Sequence, residues 1–292
     1  MLFSLLTSLL LAQEGGYGSF QYVSHLKQST LLVRTYDDDT GYDAAMAAAI
    51  ERYWTFTPYR FVSQPTLDSL VQSDPKRYSM LVRDNTERSR HGHGRSHLIR
   101  RNHLAIYPCL FGSNLIHYHG RLAITQFEVM DVDRVAAYLT LLPAFIQAMQ
   151  HHVAYLDQQQ VETQSDFEAA IDQDRQERLA HLAHMKLFLL AEQLPRKYQA
   201  QDWHEAYAYD LSIINQDALP HLLEEQAEGY AFLHVAPEAE EFRIIGLGHG
   251  RVYEQATPHT FKAFAPKDLK LLARRIARPD KSGGLLSRLL NW

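Results

Sequence analysis

The stretch YRFVSQPTLDSLVQSDPKRYSMLV, residues 59–82, decides the fold. YRFV and YSMLV have the composition of short strands, and the segment between them has helical spacing with a proline in its first turn. Before it stand STLLVRTY at 29–36 and the alanine-rich YDAAMAAAIERYW at 42–54, which predict a strand and a helix. The order is βαβαβ. It predicts a small sheet covered by helices, an α/β fold, with α+β as the alternative.

A second stretch, YDLSIINQDALPHLLEEQAEGYAFLHV at 209–235, has the same order of elements. It is preceded by KLFLL at 186–190, which corresponds to STLLV of the first copy. Each copy closes with a His-Gly-Arg turn, at 119–121 and at 249–251. We predict two similar units, residues 13–130 and 186–280. The alignment pairs three residues: Tyr59 with Tyr209, Leu70 with Leu222, and Tyr78 with Tyr230.

The segment between the copies, residues 131–185, carries an apolar stripe with alternating spacings of three and four. This periodicity is that of a coiled-coil seam on a long helix, which Pro143 should bend. A second helical stretch follows at 167–185. We expect an antiparallel helical hairpin that joins the two units, and a homodimer seam is the alternative. The stripe comprises Val132, Val135, Leu139, Leu142, Ile146, Met149, Val153 and Leu156.

The first residues, 1–12, form the uncharged apolar run MLFSLLTSLLLA. The run is too short to span a bilayer and fits the core of a secretory signal, with cleavage expected after Ala12. We predict a periplasmic or secreted protein with no transmembrane segment after cleavage, whereas an apolar N-terminal helix or strand is the alternative. Residues 281–292 are predicted to be a C-terminal tail.

Composition narrows the classes of function. The formal net charge is −5, which argues against binding nucleic acid over the whole chain. Cys109 is the single cysteine, so an internal disulfide and a zinc site with more than one thiolate are excluded. GLGHG at 246–250 lies within a strand-turn-strand pattern and is expected to be a turn. No cofactor and no nucleic-acid partner are expected.

The basic insertion, residues 83–103, is longer than its acidic counterpart APEAEEF in the second copy. The paired N–H donors of an arginine guanidinium match the oxygens of phosphate and carboxylate groups. Histidine gains a positive charge as the pH falls through about 6.5. The segment therefore predicts a basic finger for an anionic polymer or protein, with a solvated hairpin tip as the alternative. The candidate binding residues are Arg88, Arg90, His91, His93, Arg95, His97, Arg100 and Arg101.

Two other functions compete with this hypothesis. His91, His93 and His97, with His117 or His119, are candidate ligands of a metal-dependent hydrolase. A cleft between the two units would instead suit a small-ligand-binding module. The sequence has no HExxH or GxSxG motif and no convincing pair of catalytic carboxylates. It favours a non-enzymatic binding or accessory protein.

The element YWTFTPYRF at 53–61, the strand YSMLV and the leader ending in Ala-Gln resemble a group of exported bacterial proteins with two α/β units. The likeness extends over most of the chain and rests on loose motifs. It implies a location in the cell envelope and brings no catalytic residues to transfer.

Overall fold

The computed structural model of the chain divides into two compact units, which we call unit one, up to Thr163, and unit two, from Gln164. It describes residues 20–36, 39–92, 95–112, 123–129, 138–161, 163–225, 228–236, 242–256 and 264–278. The predicted signal, residues 1–12, and the predicted tail, residues 281–292, lie outside these ranges. Within them, no helix has both the length and the apolar character needed to cross a bilayer.

Unit one contains a five-stranded mixed sheet in the order β2-β1-β3-β4-β5. Strand β1 is parallel to β2 and β3, and β4 is antiparallel to β3 and β5. The strands are β1 (Thr30–Arg34), β2 (Tyr59–Val62), β3 (Tyr78–Gly92), β4 (Arg95–Pro108) and β5 (Thr125–Val129). The helices are α1 (Val23–Gln28), α2 (Thr40–Tyr53), α3 (Gln64–Ser73) and α4 (Leu142–Gln158).

Unit two repeats this arrangement, because its sheet has the order β7-β6-β8-β9-β10. Strand β6 is parallel to both neighbours, and the last three strands are antiparallel. The prediction of an α/β fold in two similar units is confirmed. The strands are β6 (Lys186–Leu190), β7 (Leu211–Ile214), β8 (Tyr230–Val235), β9 (Phe242–Gly246) and β10 (Val252–Ala256). The helices are α5 (Gln164–Leu182), α6 (Ala200–Ala206), α7 (Leu219–Glu224) and α8 (Pro266–Ile276).

Strand register fixes how the two copies correspond. Tyr78 lies opposite Thr30, and Tyr230 lies opposite Lys186, so the predicted match of these tyrosines is confirmed. The predicted match of Tyr59 with Tyr209 is wrong. Tyr59 lies opposite Leu31 and Leu211 lies opposite Leu187, the residue that corresponds to Leu31. The true counterpart of Tyr59 is therefore Leu211.

The apolar stripe of α4 is buried inside unit one. Leu142, Ile146, Met149 and Val153 are fully buried, and Leu139 is half-buried. Helix α4 packs against α1, α2 and β5, whereas α5 packs against β10 and α8. The two helices predicted as a separate hairpin at 131–185 thus each cover the sheet of their own unit. Val132 and Val135 lie outside the described residues.

The start of α4 also differs from the prediction that Pro143 bends a long helix. The helix begins at Leu142, so Pro143 occupies its first turn. A proline there loses no intrahelical hydrogen bond, because the first N–H groups of a helix have no partner within it. Tyr138 and Leu139 are also helical, so Pro143 lies just after a break at residues 140–141 and not in the interior of α4.

Candidate functional site

The basic insertion forms a two-stranded antiparallel ribbon that continues β3 and β4 beyond the rest of the sheet. The pairing runs without interruption from Asp84 opposite His103 to Gly92 opposite Arg95. In unit two, β8 ends at Val235 and β9 begins at Phe242, so six residues, 236–241, separate the two strands. Two units with one strand order therefore differ most at this connection.

Register divides the candidate binding residues between the two faces of the ribbon. Arg90 lies opposite His97, and Arg88 lies opposite Ile99. Because opposite residues share a face and successive pairs alternate, one face holds most of the candidates. His91 and Arg100 occupy the other face, and His93 lies outside the described residues. We call the first the arginine face, with Arg88, Arg90, Arg95, His97 and Arg101.

Acidic residues are placed away from the arginine face. Glu87 lies opposite Arg100 on the other face. Asp84 lies on the same side of β3 as the arginine face, but it stands at the base of the ribbon, where it is buried. There the Tyr107 hydroxyl donates to a carboxylate oxygen of Asp84 at 2.7 Å. From residues 85 to 92 and 95 to 102, the arginine face carries positive and neutral residues alone.

Arg83 fixes the root of the ribbon on the opposite side of the sheet. Its guanidinium forms an ion pair with Asp39 at 2.7 Å and lies 3.9 Å from the ring centre of Tyr36 and 4.2 Å from that of Tyr42. Its backbone N–H donates to the Tyr36 hydroxyl at 2.8 Å. Asp39 also accepts from the N–H of Tyr42 in the first turn of α2. The ribbon is therefore braced by side chains at its base.

These tyrosines remain protonated at neutral pH. Burial raises the pKa of Tyr36, although the positive charges of Arg34 and Arg83 oppose the change. Burial also raises the pKa of Tyr42 well above its usual value. Neutral rings can hold guanidinium groups by cation–π attraction.

Arg34 ends β1 beside this cluster, with its guanidinium 4.5 Å from the ring centre of Tyr36. Its Nε is buried and has no hydrogen-bond partner in the part of the chain that the structure describes. The chain leaves β1 towards β2 on one side and reaches β3 on the other, so this edge is a topological switch point. Sequence reasoning missed Arg34, Tyr36 and Asp39. Comparison of the two copies by register would have found Arg34, because Leu190 occupies its place in unit two.

The GLGHG segment of unit two is a tight turn, as predicted. His249 Nδ1 accepts from the N–H of Arg251, and its Nε2 lies 3.0 Å from the Tyr253 hydroxyl. Burial lowers the pKa of His249, and the charge of Arg251 acts in the same direction. Arg251 in turn forms an ion pair with the buried Asp174. The corresponding turn of unit one, residues 119–121, lies outside the described residues.

Only two of the candidate metal ligands, His91 and His97, lie within the described residues. Within the described residues, no group of three or more His, Cys, Asp or Glu side chains is arranged to hold a metal ion. His91 and His97 occupy opposite faces of the ribbon. His93, His117 and His119 lie outside the described ranges. Cys109 is fully buried, and burial raises the pKa of its thiol to about 12.

Comparisons of the chain with protein-family models, curated proteins and solved structures find no match.

Proposed function

We propose that this chain is a non-enzymatic binding protein of the cell envelope that holds a linear anionic polymer on the arginine face. One observation carries the proposal. The register of β3 and β4 places Arg88, Arg90, Arg95 and Arg101 on one face of a paired ribbon, together with His97. The envelope location rests on the apolar run at residues 1–12.

The spacing of these residues suits a repeating anion. Same-face neighbours on one strand are roughly 7 Å apart, and paired strands are about 4.8 Å apart. A polymer that lies along the ribbon can thus contact several arginines at once. After the first contact, the others form within one complex at high effective concentration. Each guanidinium offers a forked pair of donors to a phosphate or carboxylate group.

Unit two has the same strand order but lacks the basic ribbon. Its β8–β9 connection, residues 236–241, has the sequence APEAEE and carries negative charge. The fold therefore does not need a basic ribbon at this position. The ribbon is an addition to unit one, and its charge calls for an explanation outside the packing of the sheet.

The test compares two variants that lose the same charge. In the first, Arg88, Arg90, Arg95 and Arg101 are changed to Ser. In the control, the exposed residues Arg60, Arg77, Arg196 and Arg278 are changed to Ser. Binding to linear polyphosphate and to polygalacturonate is measured at low and high salt, with double-stranded DNA as a separate arm.

We expect the native protein to bind at least one of the two polymers, and the affinity to fall as salt rises, because exposed charges are screened beyond about 8 to 10 Å at physiological ionic strength. The ribbon variant should lose this binding, whereas the control should retain most of it. Binding should tighten as the pH falls towards 6, where His97 adds charge. Equal affinity of the two variants would contradict the proposal, and preference for DNA would identify another class of partner.

A further inference from the structure

We propose that the carboxyl end of β1 in unit one, beside Arg83 of β3, is a second binding site, which takes the phosphate or carboxylate group of a small soluble ligand with Arg34 as its principal contact. This site lies on the sheet and is separate from the arginine face of the ribbon. It does not depend on the function proposed for the ribbon.

Arg34 is the last residue of β1, the strand that lies between its two parallel neighbours β2 and β3. From the end of β1 the chain runs through α2 to β2 on one side, and β3, on the other side of β1, is reached from β2 through α3. In open α/β sheets, ligands bind in the crevice outside the carboxyl ends of the strands at such a switch point.

The hydrogen bonding of the two arginines is the second argument. Arg83 is matched by Asp39 at 2.7 Å. The Nε of Arg34 is buried and has no hydrogen-bond partner among the described residues. A buried donor without an acceptor is unfavourable, so a bound acceptor at this position would be stabilised. An oxyanion can accept from Nε and a terminal nitrogen of one guanidinium at the same time.

Unit two supplies the third argument, because it shows what this fold requires at the same positions. By register, Leu190 corresponds to Arg34 and Val235 corresponds to Arg83. Both residues of unit two are buried and apolar. A strand end that packs well with leucine and valine does not need two arginines for folding. Asp39 balances the charge of Arg83, whereas partial burial of the charge of Arg34 is unfavourable without a counter-charge.

The test uses the ribbon variant with Arg88, Arg90, Arg95 and Arg101 changed to Ser as its background, so that the ribbon cannot contribute. Binding of inorganic phosphate and of acetate is measured by titration calorimetry. Three changes are compared: Arg34→Leu, which copies unit two; Arg34→Lys, which keeps the charge and loses the fork; and Arg60→Leu, an exposed control on β2.

We expect saturable binding of phosphate, acetate or both, and the preferred anion identifies the ligand group. Arg34→Leu should weaken it by roughly tenfold to a hundredfold, as expected for a charge-assisted hydrogen bond. The affinity of Arg34→Lys should lie between those of the background and Arg34→Leu. The affinity of Arg60→Leu should equal that of the background. Circular dichroism checks that each variant folds. If Arg34→Leu does not fold, the affinities of Arg34→Gln and Arg60→Gln are compared in its place. Absence of saturable binding, or equal affinity with and without Arg34, would overturn the proposal.

Discussion

An alanine at Gly246 should destabilise unit two, because the turn between β9 and β10 leaves no room for a methyl group. A Cβ at this position would lie 2.6 Å from Cε1 of His249 and 2.9 Å from Cε2 of Tyr253. Both rings are held in place, since the Tyr253 hydroxyl and His249 Nε2 are 3.0 Å apart. His249 Nδ1 also accepts from the N–H of Arg251. The rings can give way only by breaking these bonds.

The magnitude follows from the two effects together. Overpacking of this kind costs roughly 1 to 3 kcal/mol. Loss of one or two hydrogen bonds of His249 adds a cost of about 1 kcal/mol each. Alanine also restricts the unfolded chain more than glycine does, which offsets about 0.5 kcal/mol of the cost. We expect Gly246→Ala to lower the free energy of unfolding of unit two by about 2 to 4 kcal/mol.

Gly229→Ala is the matched control, since a Cβ there would meet no atom within 4 Å. It should be neutral or slightly stabilising. Hydrogen exchange with mass spectrometry reports the opening of β9 and β10 separately from unit one. In the double variant Gly246→Ala/His249→Ala, the cost should be smaller than the sum of the single costs, because the two sites are in contact. A cost for Gly246→Ala equal to that of Gly229→Ala would refute this reasoning.

Two further predictions concern pH and export. Burial lowers the pKa of His249 in the folded chain, Arg251 and His181 act in the same direction, and Glu228 opposes them. The unfolded chain therefore binds more protons than the folded chain just below about pH 6.5. The free energy of unfolding should therefore fall as the pH drops below about 6.5, and His249→Asn should flatten that slope in urea titrations; equal slopes would contradict the assignment. Native exported material should begin at Gln13 by mass spectrometry, and an intact Met1 in it would exclude cleavage after Ala12.

The sequence predicted the fold where local patterns carry the information. Strand and helix periods are visible in residues 59–82 and again in 209–235, so the order of elements and the duplication followed from them. The match of Tyr59 with Tyr209 failed because a shift of two residues keeps every side chain on the same face of a strand. Only the pairing with Leu31 and Leu187 resolves it. The stripe of α4 likewise predicts burial without naming the surface that buries it.

The candidate site was predictable in composition and not in geometry. The basic residues of the insertion were evident, but which of them share a face depends on where the two strands pair, as Arg90 with His97 shows. The cluster of Arg34, Tyr36, Asp39 and Arg83 was missed, because its members come from two strands, the connection after β1 and a helix cap. Their proximity is created by the parallel pairing of β1 with β3.

The interior position of β3 and β4 has a mechanical consequence. A partner that pulls on the tip of the ribbon loads both strands along their axes, and each strand has a further neighbour, β1 or β5, in the sheet. Such a load would shear the ladder hydrogen bonds that join β3 to β1 and β4 to β5. The braces of Arg83 and Asp84 share it at the base. A load on the ribbon tip would therefore be shared with the neighbouring strands β1 and β5.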